Sequence, residues 1–148
     1  LHYLTMANHL LIQKRILEKV KESGLTLGQP KVLDYLKSHD GASQKEIAAG
    51  CFIEAGSLTS ILNRMEEKGL IERRMLNGNR RTFHIFMTES GRKSQKLVEA
   101  AFVEIEENAW KDISSEEAET FMKIYHKFIT ICLRQAARKQ GKKEVINE

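Results

Sequence analysis

The sequence predicts a mainly helical fold with one small β-hairpin, and three observations lead there. The chain has one proline in 148 residues, with 30% charged and 41% hydrophobic content, which is the composition of a soluble, helix-rich protein. Apolar residues recur at spacings of three and four over most of its length. One stretch breaks that period: Asn77-Gly78, a turn signal, precedes the β-rich run Thr82-Phe83-His84-Ile85-Phe86-Met87.

The first helix covers about residues 3–22. Met6, Leu10, Gln13, Leu17 and Val20 alternate spacings of four and three, with Leu11 and Ile16 widening the stripe. Ser23-Gly24 stops it. Thr26 and Gln29 form a capping box for a second helix, in which Pro30 is tolerable near the start and Val32, Leu33 and Leu36 make the buried side. Asp40-Gly41 ends that helix. Ser43-Gln44-Lys45-Glu46 is a further S-x-x-E capping box, followed by Ile47 and Ala48 as a small inner face. Gly50 reads as a helix stop, leaving a short turn over 51–53.

The following helix carries its inward stripe at Leu58, Ile61, Leu62 and Met65. Ala55, Gly56, Ser57, Thr59, Ser60, Asn63 and Arg64 are left on the outside or flanks. These are small or hydrogen-bonding side chains, suited to close approach to base edges. Gly69 stops the helix, and Arg73, Arg74, Arg80 and Arg81 lie on or beside the hairpin with Glu72 as the single acid. Residues 90–111 read as a long helix with Val98, Ala101, Ile105 and Ala109 on one side. Ser114 to Glu117 is a third capping box. The helix it opens carries Phe121, Tyr125, Phe128 and Cys132 in one row and Met122, Ile129 and Leu133 in the next.

A helix, a turn, a second helix and a basic hairpin are the parts a reader of duplex DNA needs, in this order. The expected fold is therefore mainly α with a small β-hairpin wing: a winged helix-turn-helix plus terminal dimerisation helices. Ser57, Thr59, Ser60, Asn63 and Arg64 are the candidates for the major groove. Ser43, Gln44, Lys45, Arg73 and Arg74 are candidates for phosphate, and Asn79, Arg80 and Arg81 for the wing. The broad apolar arcs of the first and last helices predict a two-fold homodimer, and hence an inverted-repeat operator in double-stranded DNA.

At these residues the chain resembles the MarR family of winged helix-turn-helix transcriptional regulators. LTLGQPKVLDYL, SQKEIA, TSILNRMEEKGLIERR, the wing NRR and MTESGRK carry the match, over roughly residues 25–93. Asn79 stands where the family pattern has Asp, and the Arg of that motif falls on Arg81. The resemblance implies one MarR-like domain over 1–148. Residues 1–24 and 90–140 would form the dimerisation region, 25–89 the DNA-binding lobe and 141–148 a basic tail. It also implies a repressor released by a small aromatic or phenolic ligand held between the dimer helices and the winged helix. His9, Gln13, Arg15, Tyr35 and His39 are the polar or aromatic residues of the first two helices that could line such a crevice.

Other classes find less support. The net charge of +4 is mild, but basic residues gather at 73–93 and 134–143 while 99–119 is mostly acidic, which favours one DNA-facing side. No apolar run approaches the roughly 20 residues of a membrane span, and two distant cysteines fit a reducing cytoplasm. Five scattered histidines make no metal-ligand pair, and no phosphate loop or nucleophile elbow is present, so neither an enzyme nor a cofactor is expected. Cys51, beside the groove-reading helix, could make DNA binding redox-responsive, although both Cys51 and Cys132 read better as buried small hydrophobes. The competing class is a winged helix for protein–protein contact, its hairpin arginines gripping an acidic partner.

Overall fold

The computed structural model describes residues 1–76 and 82–145, with side chains through residue 135. The turn Asn77-Gly78 and the wing candidates Asn79, Arg80 and Arg81 lie outside the described residues. In order, the elements are α1 (His2–Lys19), α2 (Gln29–Leu36), β1 (Ala42–Ser43), α3 (Gln44–Cys51), α4 (Ala55–Glu67), β2 (Ile71–Met75), β3 (Phe83–Met87), α5 (Glu89–Trp110) and α6 (Ser115–Val145). The chain forms two compact units, residues 1–106 and 107–148.

In the first unit, α2, α3 and α4 enclose a core that the sheet and part of α5 complete. Val32, Leu33 and Leu36 from α2 meet Ile47 and Cys51 from α3, and Leu58, Leu62 and Met65 from α4, with Ile85, Val98 and Ala101 alongside. The expected inward stripe of α4 is buried at all four positions. The antiparallel sheet has the order β1-β3-β2. Its edge strand β1 is only two residues long, pairing Ala42 with Ile85 and Ser43 with His84. So short a strand has no periodicity of its own to read from sequence.

Two local expectations are corrected. Gly50 does not stop α3, which runs through it to Cys51 and ends at Phe52 in the left-handed region, φ +52°. A Cβ at position 50 would lie 2.1 Å from Cε2 of Tyr35, so glycine serves the close approach of α2 and α3 there. The Thr26–Gln29 capping box is half made. The Gln29 carboxamide accepts the Thr26 N–H at 3.0 Å, but α2 starts after Gly28 and has no side-chain cap. At α3 the box forms as the sequence predicts, with Ser43 as N-cap and Glu46 reciprocating.

Helix α1 ends at Lys19, and a single 3₁₀ turn over Lys21–Ser23 follows it. Its second half packs inward through Ile16. Its first half leaves Tyr3, Leu4, Met6, Leu10 and Leu11 exposed. In the second unit the Ser114 box caps α6, its hydroxyl donating to Glu117 at 2.7 Å. Trp110, Phe121, Tyr125 and Phe128 stack in sequence at centroid spacings of 5.7, 5.5 and 6.3 Å. Phe121, Met122, Ile124, Ile131 and Leu133 are exposed. Cys132 is exposed as well, against its expected burial. Helix α6 continues into residues 141–145, which the sequence assigns to the tail. No helix among the described residues is long and apolar enough to cross a membrane.

Candidate nucleic-acid interface

Helix α4 sorts its residues by face. Leu58, Leu62 and Met65 are fully buried and Ile61 nearly so, while Ser57, Thr59, Ser60, Asn63 and Arg64 are exposed. Thr59 Oγ1 donates to the Ala55 carbonyl at 3.0 Å and accepts from the Gln44 side chain at the start of α3. That bridge ties the two helices of the pair together at the outer surface. Ser60 and Arg64 bond back to the preceding turn, Ser60 Oγ to the Gly56 carbonyl at 3.5 Å and Arg64 Nε to the Ser60 carbonyl at 3.3 Å. Both contacts are at the long end of hydrogen-bond distances and easily exchanged for a ligand.

Of the phosphate candidates on α3, Lys45 is exposed. Ser43 is occupied by its cap: its N–H and its hydroxyl both donate to Glu46 Oε2 at 2.7 Å. These bonds hold the Glu46 carboxyl below the usual carboxylate range, the Ser43 hydroxyl first and its backbone second.

The two arginines of β2 part company. Successive strand side chains face opposite sides of a sheet. Arg73 is paired in register with the buried Ile85, and Arg74 with His84. Arg73 accordingly reaches α4, with an ion pair to Glu66 and a 2.7 Å bond to Asn63 Oδ1. Arg74 lies on the other face, paired with Glu72 and with its guanidinium 4.7 Å from the Phe86 ring centroid. Farther on, Arg92 donates to Asp40 at 2.6 Å, and the same carboxylate accepts the Met87 N–H at 2.8 Å. Arg73 and Arg92 of the basic cluster at 73–93 are thus matched by acids outside it, Glu66 and Asp40.

A cavity of about 800 Å³ opens between α1, α2 and α4. Of the five expected lining residues, His9 and Gln13 are there. Arg15 is exposed and not among the lining residues. Tyr35 and His39 stack on each other, with centroids 4.2 Å apart and planes within 5°, and belong to the packing of α2. The sequence reading missed Lys31 and Asp34 of α2, and Ser57, Ser60 and Arg64 of α4 enter the wall as well as the outer face. The i, i+3 spacing of Lys31 and Asp34 was the available signal. Burial raises the Asp34 carboxyl above its usual range, with Glu99 adding and Lys37 opposing.

Cys51 is buried, and burial pushes its thiol up to about 11, against a smaller lowering by Lys31. The thiolate is the reactive form, so a redox route through Cys51 gains no support. Among the described residues no group of three or more His, Cys, Asp or Glu could hold a metal ion.

Comparison with known proteins agrees with this architecture. Residues 23–82 match the MarR family. An uncharacterized HTH-type transcriptional regulator of Bacillus subtilis (strain 168), YwoH, is 28% identical over 80% of this chain and 86% of its own length. The crystal structure of the S. aureus MepR–DNA complex matches with a TM-score of 0.79 and 25% identity, covering 88% of this chain and 95% of that one. A MarR transcriptional regulator from Methanosarcina mazei Go1 shares the fold with a TM-score of 0.81 at 18% identity, over 90% of this chain and 89% of that one. With its helix pair, three-stranded sheet and matched residues, the chain has a winged helix-turn-helix fold and is similar over residues 23–82 to the MarR family of transcriptional regulators.

Proposed function

We propose that this chain is a MarR-family transcriptional regulator, a cytoplasmic homodimer that binds an inverted-repeat operator in double-stranded DNA as a repressor, and that a small aromatic or phenolic ligand releases it. The observation that carries the reading is the division of α4. An apolar stripe anchors it, and an exposed row of Ser57, Thr59, Ser60, Asn63 and Arg64 is left for the major groove. Lys45 and Arg74 supply phosphate contacts, and Arg80 and Arg81, with Asn79, are the candidates for a minor groove. Residues 1–24 and 90–140 form the dimerisation region, in keeping with the exposed apolar rows on α1 and α6.

The cavity supports the ligand arm of this reading. His9, Lys31 and Arg64 line it with one carboxylate, Asp34, which suits an anionic aromatic molecule. Ser57, Ser60 and Arg64 belong both to the cavity wall and to the proposed groove face, so ligand and DNA draw on the same side chains. Release then follows from competition for α4.

The test is duplex binding by fluorescence anisotropy between 50 and 200 mM salt, with and without a series of aromatic carboxylates. Affinity should fall steeply with salt, and an effective carboxylate should weaken it further. Duplex binding that appears only when an acidic protein partner is supplied would favour a protein–protein module instead.

A further inference from the structure

Arg73 was expected to face phosphate, yet its surroundings point elsewhere. Its side chain is only 17% exposed, and its guanidinium is shared between the Glu66 carboxylate and Asn63 Oδ1. A phosphate would have to compete with a carboxylate already in place. Asn63, by contrast, is exposed on the α4 row. Its Oδ1 accepts from Arg73 at 2.7 Å, and its amide NH₂ has no hydrogen-bond partner among the described residues.

A free asparagine reads adenine by offering both halves of its amide, accepting from N6–H and donating to N7. Here the accepting half already holds a bond and has a cation beside it, which disfavours the partly positive adenine amino group. What remains is a donor, and guanine presents two adjacent acceptors, O6 and N7, in the major groove. We propose that Glu66 and Arg73 are positioning residues that fix the Asn63 amide as a donor, so that Asn63 selects guanine at its operator position. This rests on the reading of α4 as the groove helix and adds the base that one of its residues chooses.

The experiment is selection from a randomised duplex library, followed by affinity for single-base variants of the selected site across a salt series. Wild type should show a guanine preference that Asn63→Ala flattens by about tenfold at one position per half-site. Arg73→Met, which keeps the apolar stem, should move the preference at that same position from guanine toward adenine and leave the salt slope unchanged. Glu66→Ala, which frees the guanidinium without altering the strand, should shift it in the same direction. Glu66→Gln, able to accept from Arg73, should retain guanine. If Arg73→Met instead lowers the salt slope by about 1.8, or about 0.9 for each half-site, with the preference intact, Arg73 is a phosphate contact and the proposal fails. An Asn63-dependent preference for adenine in wild type would also overturn it, while leaving the groove reading in place. Wild type with no preference at any position would overturn the groove reading itself, before any variant is made.

Discussion

Gly50 and Gly56 have the same side chain and opposite surroundings. A Cβ at position 50 would meet the Tyr35 ring at 2.1 Å, whereas one at position 56 meets nothing within 4 Å. Gly50→Ala should therefore destabilise the fold by roughly 1–3 kcal/mol through overpacking, and Gly56→Ala should stabilise it by up to about 1 kcal/mol through helix propensity. Urea unfolding of the two variants checks both signs. Cys51 offers a pH test at the same scale. Burial raises its thiol from 9.0 to about 11, so the native state disfavours the thiolate. That contribution is complete below pH 9 and is lost as the pH rises toward 11. Wild-type stability should fall across this window more than that of Cys51→Ala.

At the scale of elements, capping boxes were the most legible feature, because a cap is made by residues three apart. Ser43–Glu46 and Ser114–Glu117 formed as read. Ser43→Ala should cost about 1 kcal/mol at neutral pH. The depressed Glu46 carboxyl contributes stability that is present above its unfolded value and is lost as pH falls through the lowered one. The penalty of Ser43→Ala should accordingly shrink in acid, as pH-dependent thermal unfolding would show. The stripe of α4 was legible for the same local reason, since a 3.6-residue period needs no partner to be seen. The Thr26–Gln29 box, half made, was a local misreading, but others were long-range. Gly50 reads as a stop only if Tyr35, fifteen residues earlier, is left out. The neutralisation of Arg92 by Asp40 spans fifty-two positions. Arg73 and Arg74 look like one basic pair until the register with β3 sends them to opposite faces.

At the scale of the whole molecule, one chain leaves large apolar side chains on α1 and α6 in water, including Leu10 at 64% and Phe121 at 51% exposure. The sequence showed these arcs as periodic rows, but what would cover them on the proposed reading is a second chain, which no single sequence displays. Sedimentation at micromolar concentration should give a dimer, and Leu10→Glu should weaken it while leaving the helix content unchanged by circular dichroism. The central claim is that two copies of α4 read the major groove of one operator. Guanine-N7 methylation interference on a selected operator tests it most directly, because that atom lies on the major-groove edge. The result expected is two patches of interference on one face of the duplex, about 10 base pairs or a multiple of that apart, matching an inverted repeat. Tight binding that N7 methylation does not disturb at any position would contradict it.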